Sequence, residues 1–213
     1  MNRTGKTRAA AAVPPPQQNL QTVTALAVEA LRGQSADQLA WLGARRAGKM
    51  WRLDVLNDSL DVDISSGAVR TSEGREARAV WRILTLHYLT VTSRPESRAP
   101  EVTFADLPAG RAYAGVYHSR VIARLCATVG RDLASLSAAA AAAGARAVEA
   151  GDAAFEMNLF PRIAVRLIWH AGDEEFGPSA TLLLPANIES FLEIEDVVVL
   201  SESLVSRMSG RGY

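Results

Sequence analysis

The side chains best suited to chemistry crowd into one stretch, Trp169-His170-Ala171-Gly172-Asp173-Glu174-Glu175-Phe176-Gly177-Pro178-Ser179. Asp173, Glu174 and Glu175 with His170 supply hard oxygen donors and an imidazole, a set able to hold a divalent cation or to move protons, and Glu195 and Asp196 could add to it. Asp173, Glu175 and His170 are the metal-ligand candidates. Trp169, Phe176 and Arg162 complete a candidate binding surface. The spacing, however, matches no established metal motif: there is no His-Glu-x-x-His, and the acids lack the alternation and the placed glycine of a calcium loop. Three neighbouring carboxylates repel one another, and consecutive residues cannot all point into one pocket. The plainer expectation is a turn. Gly172 and Gly177-Pro178 shape it, one acid meets Arg162 or Arg166 across the strands, and Phe176 folds back over the core.

Elsewhere the chemical signals are thinner. His87 sits in an apolar helical stretch and reads as a hydrogen-bonded core residue, while His118, beside Arg120, reads as exposed. Cys126, between Leu125 and Ala127, reads as a small buried hydrophobe, because nothing around it would lower the thiol pKa. The four tryptophans fall in patterned segments and belong to the core. Gly5-Lys6-Thr7 echoes a phosphate loop but lacks the earlier glycine and the preceding strand.

The elements that position the acidic stretch follow from periodicity. Phe155, Met157 and Leu159 alternate with polar or small residues, as do Ile163, Val165, Leu167 and Trp169, and "ATLLL" returns after the acids. This is a three-stranded antiparallel meander, with the acidic stretch joining its second and third strands. Upstream, Val23, Ala27 and Leu31 have helical spacing up to Gly33, and Ser35 to Gln38 has the form of a capping box that opens a second helix to about Ala47. "KMWRLDV" and "LDVDI" form an antiparallel hairpin within two or three strands that run to about Thr71, with Ser65-Ser66-Gly67 as a turn. A wide apolar stripe from Ala77 to Val91 predicts a central helix packed on more than one side. Further helices cover Tyr113 to Gly130, Asp132 to Ala143 and Glu195 to Met208, and Asn187 caps a short one over Phe191. The fold expected is α+β: a single domain over 18–208, with several helices packed on a small antiparallel sheet made of the N-terminal hairpin and the C-terminal meander. A flexible arm over 1–17 and a frayed tail over 209–213 flank it.

Composition narrows the class. With 213 residues, 48% of them hydrophobic, the chain can bury a full core. Lys plus Arg and Asp plus Glu both total 23, so the basic excess expected of a nucleic-acid binder is missing. One cysteine excludes an intramolecular disulfide and an iron–sulfur cluster held by this chain alone, which fits a cytoplasmic setting. No stretch is apolar enough to span a bilayer, and the apolar run Ala9 to Val13 is too short for a signal-peptide core. The expected partner is therefore another protein or a second copy, not a nucleic acid or a membrane.

Phe160-Pro161-Arg162, Trp169, Gly172-Asp173-Glu174-Glu175-Phe176 and Glu195-Asp196, with "VTFADLPAGRAYAGVYHSRV" and "LTLHYL" before them, carry a resemblance. In this order they resemble the bacterial and archaeal family called domain of unknown function 3786, over most of Trp51 to Met208. Ala164 stands where the family usually has a second proline, and Leu184-Pro185 where it has Phe-Asp, which removes one acid. The resemblance implies an architecture and no established activity. Some relatives carry a cysteine-rich iron–sulfur module of the kind found with corrinoid proteins, a link to redox or one-carbon metabolism; this chain has no such module. Three roles stay open. A non-catalytic accessory protein or subunit that binds a protein partner, with or without a cofactor, would show an exposed apolar patch beside the turn. A carboxylate- or metal-dependent enzyme built on the Gly172–Phe176 turn would show a pocket where the acids converge. A purely structural protein would show neither.

Overall fold

The computed structural model describes residues 18–96 and 98–213. The expected arm over 1–17 lies outside them.

Helix α1 (Gln18–Arg32) buries Ala27, Val28 and Leu31 and packs along the central helix α3 (Ala79–Leu89). Between them α2 (Ala36–Trp41) begins where the Ser35 hydroxyl accepts from the backbone N–H of Gln38. Only this half of the expected capping box forms, because the Gln38 amide donates instead to the carbonyls of Val91 and Ser93. That exchange ties α2 to the segment leaving α3. Helix α2 was expected to reach Ala47; it stops at Trp41. Gly43 takes a left-handed φ of 92°, and a Cβ there would lie 2.4 Å from the Pro161 ring, so the chain must turn at a residue without a side chain.

Beyond Gly43 the chain forms a four-stranded antiparallel sheet in sequence order: β1 (Arg45–Ala47), β2 (Met50–Val55), β3 (Asp58–Asp63) and β4 (Ala68–Thr71). One face buries Trp51, Leu53, Val55, Leu60, Val62 and Val69. The other carries the ion pairs Arg45–Asp54 and Arg52–Asp61, which offset the placement of Arg45 directly opposite Arg52.

The second sheet has the order β5-β9-β8-β7-β6. Its centre is the expected meander, β7 (Ala153–Phe160), β8 (Ile163–His170) and β9 (Ser179–Pro185). Two short edge strands widen it, β5 (Glu101–Thr103) against β9 and β6 (Arg146–Val148) against β7. Neither is long enough to show a period in sequence. Over its buried face lie α4 (Ala114–Tyr117), a π-helical stretch over His118–Ala123 and α5 (Arg124–Ala127), with α6 (Leu133–Ala142) and α7 (Ile194–Met208) packed on that helical layer and on each other. The Val197-Val198-Val199 run stays helical in α7, because Val197 and Val198 are buried there.

The two sheets share one core. Tyr88, fully buried, donates its hydroxyl to the Leu42 carbonyl at 2.7 Å and accepts the Arg162 N–H at 3.2 Å. Its ring stacks on Phe160 and Phe191, with centroids 4.5 and 6.3 Å away. Leu56, in a left-handed conformation with φ 54°, donates its N–H to Asn158 of β7. The tail is not frayed. Tyr213 is only 7% exposed, donates to the Val55 carbonyl, meets Trp81 edge-on and lies under the Arg207 guanidinium.

Tyr88→Phe removes one hydroxyl and leaves two buried backbone groups without their partner, so a loss of about 1–3 kcal/mol is expected in urea unfolding. An unchanged midpoint would mean that the hydroxyl does not tie these elements together.

Candidate functional site

Along β8, Ile163, Val165, Leu167 and Trp169 point inward and are buried. Trp169 is 4% exposed and donates its indole N–H to the Gly130 carbonyl at 2.7 Å, which locks the end of the strand against the chain before α6. The chain then leaves the sheet, and all three acids are exposed. Asp173 organises the turn: its Oδ1 accepts the N–H groups of Glu175 and Phe176 at 2.9 and 2.8 Å, while its own N–H donates to the Phe176 carbonyl. These backbone donors, Phe176 foremost and then Glu175, hold the Asp173 carboxyl below its usual range. A Cβ on Gly172 would sit 2.6 Å from the Phe176 carbonyl oxygen, so glycine is required for the closure.

The closure turns Phe176 outward. It is 70% exposed and does not fold back over the core, because both flanking backbone bonds fix its direction.

Nor does an acid of the turn meet Arg162 or Arg166. Arg166 pairs with Glu156 on β7 and Glu101 on β5. Arg162 lies at the opposite end of β8, about 25 Å away at the rise of a strand. It donates Nε to the Trp41 carbonyl and stacks its guanidinium 4.5 Å from the Trp41 ring. His170 faces Asp152, its Nδ1 3.8 Å from Oδ2, and Asp152 in turn accepts the Ala171 N–H. Among the described residues no three His, Cys, Asp or Glu side chains converge on a point that could hold a metal ion. Asp173, Glu175 and His170 are therefore not gathered into one coordination shell.

Glu195 and Asp196 sit in the first turn of α7, where negative charge is favoured by the helix dipole. They serve different partners. Glu195 accepts from the Tyr113 hydroxyl at 3.2 Å. Asp196 meets Nδ1 of His87, in the last turn of α3, at 2.6 Å. The pair borders a cleft of about 380 Å³, whose other walls include Thr90, Ser93, Glu189 and Glu193. The hydrogen bond to Asp196 raises the His87 pKa; partial burial opposes this, and the charges of Asp196 and Glu193 reinforce it. A carboxylate that orients an imidazole at the edge of a cleft is an arrangement able to transfer a proton at the second ring nitrogen. The sequence alone marks His87 as a hydrogen-bonded residue of an apolar helix, and the structure supplies the bond. Its partner lies 109 residues away, and no local spacing announces the pair.

Because the folded-state pKa of His87 is raised, the pair stabilises the fold fully below the ordinary histidine value of about 6.5 and loses that contribution as pH climbs through the raised value. Asp196→Asn should bring the His87 titration, followed by NMR, down toward the ordinary value. It should also flatten the fall in stability above pH 6.5. A His87 midpoint unmoved by the substitution would dismiss the coupling.

Comparison with known proteins adds one match. The family model described as "Domain of unknown function (DUF3786)" covers residues 36–207, from the capped start of α2 to the last turn of α7, and so takes in both sheets, the acidic turn and the His87–Asp196 cleft. No curated protein and no solved structure matches the chain. The chain belongs to the DUF3786 family.

Proposed function

We propose that the protein is a non-catalytic accessory protein or complex subunit, which binds a protein partner with the end of the C-terminal sheet that carries the acidic turn. The observation that supports this reading is Phe176, a large apolar side chain 70% exposed at the tip of a turn whose backbone is already fixed by Asp173. A preorganised aromatic anchor loses little conformational freedom on docking, and aromatic residues are typical of the centres of protein interfaces. Asp173, Glu174 and Glu175 beside it favour a partner with an apolar slot and a basic rim. Among the described residues, no helix is long and apolar enough to cross a membrane.

A link to redox or one-carbon metabolism follows only from the relatives with a cysteine-rich module. The one cysteine here, Cys126, is half-buried with its thiol pKa pushed up by burial, and it does not fit the four-thiolate set of an iron–sulfur cluster. Such a cluster would belong to the partner.

The His87–Asp196 pair favours a second reading, proton-transfer chemistry on a small molecule in its cleft. Partner capture from the native host tests the first reading. Phe176→Ala should melt like the wild type and lose the partner, Asp173→Ala should weaken capture by loosening the turn, and His87→Gln should retain it. Equal capture by Phe176→Ala would overturn the proposal, and loss only in His87→Gln would move the partner-binding face to the cleft.

A further inference from the structure

The solvent-facing side of the C-terminal sheet carries a second cavity, on a different face from the His87–Asp196 cleft. Its floor follows from strand register. Arg146 on β6 stands opposite Glu156 on β7, and Glu156 opposite Arg166 on β8, so one row over these three strands is a ladder of alternating charge. On β9 the same row meets Leu183, and Arg166 reaches diagonally past it to Glu101 on β5. Two residues further along, the opposed pair is Asn158 and Ala164. Short uncharged side chains next to a row of long charged ones leave a depression. Pro161 and Arg162 close it at the β7–β8 turn, and Arg98 and Ala99 wall it from the loop before β5. The depression has a volume of about 630 Å³, within the range of small-molecule sites.

The charge in this space is not balanced. Arg98, Arg162 and Arg166 line it against Glu101 and Glu156, which leaves one positive charge in excess. Arg166 is committed to both glutamates. Arg162 is committed through Nε to the Trp41 carbonyl and through its guanidinium face to the Trp41 ring, which fixes it in place beside Pro161. Arg98 makes no ion pair or hydrogen bond with any of the described residues. An arginine without a carboxylate partner on the wall of a polar cavity is a recognition element for a planar or tetrahedral anion, because its fork of N–H donors matches two oxygens at once.

We propose that this cavity is a binding site for a small organic anion, carrying phosphate or carboxylate groups, with Arg98 as its principal charge partner and Ala164 as the floor on which the ligand rests. Isothermal titration of the full chain with inorganic pyrophosphate and, separately, with citrate at constant ionic strength tests the site and tells the two anion classes apart. At least one should bind. Arg98→Glu, on an exposed loop, should weaken that binding by about tenfold or more, the usual loss for a charged hydrogen bond, without lowering the melting temperature. Ala164→Phe, at an exposed strand position, should block it by filling the floor. Arg111→Ala, at an exposed arginine outside the cavity, should leave it unchanged. Failure of both anions to bind, or binding that survives Arg98→Glu and Ala164→Phe alike, would overturn the assignment.

Discussion

One buried hydroxyl holds the layers of this molecule in register. Tyr88 is the point where the end of α2, the β7–β8 turn and the segment ahead of α7 meet, and its oxygen is both donor and acceptor there. A phenylalanine would fill the same volume but leave the Leu42 carbonyl and the Arg162 N–H without the hydroxyl that joins them. Burial raises the tyrosine pKa, which favours the neutral, donating form of the hydroxyl. The direction of Arg162, the place of Trp41 above it and the approach of Gly43 to Pro161 all follow from that anchor.

This constraint also decides which candidate residues can act together. Strand β8 begins at the anchored end and runs eight residues to the acidic turn. Arg162 and the acids therefore occupy opposite ends of a straight element, and no side chain can bridge them. What sequence proximity presents as one cluster is divided by geometry into a rigid apolar-tipped turn, an imidazole–carboxylate pair on two helices, and an arginine-lined depression over the sheet. Each is held by a different set of backbone bonds.

Much of the fold was legible, for reasons visible in particular residues. The alternation of Ile163 to Trp169 survives as alternating burial because a strand with one wet face has only one way to bury four large side chains. The wide stripe around Trp81 and Leu84 became a helix buried on several sides, since α1, α7 and β4 all pack on it. The edge strands Glu101–Thr103 and Arg146–Val148 were not legible: three residues carry no measurable period, and their conformation is imposed by the strands they join. The end of α2 was missed because the stop at Gly43 is set by a proline more than a hundred residues away. At the candidate site, the exposure of the acids could be read from their mutual repulsion, whereas the outward turn of Phe176 depends on two backbone bonds to Asp173 that sequence does not display. That His87 is hydrogen-bonded was legible from its apolar helix, whereas the identity of its partner was not, because Asp196 is supplied by another helix.

Net neutrality conceals the feature of this surface that matters most for recognition. Equal totals of 23 basic and 23 acidic residues argue against a protein that neutralises many phosphates along a polymer, and that argument concerns summed charge. A small ligand responds to the few groups within a Debye length, about 8–10 Å at ordinary ionic strength. On that scale the molecule is polarised. Glu189, Glu193 and Asp196 surround His87 in one cleft, while Arg98, Arg162 and Arg166 outnumber two glutamates in the other. The short segment Ile188–Ser190 and the residue before it divide them, since Asn187 borders the arginine-lined cavity and Glu189 the acidic one. Asn187 is itself fixed by donating to the Glu96 carbonyl, so the loop that carries Arg98 is tethered to the divider between the two sites. A ligand that draws Arg98 inward must therefore act on a loop pinned at Asn187, and the same pin stands two residues from the wall of the His87 cleft.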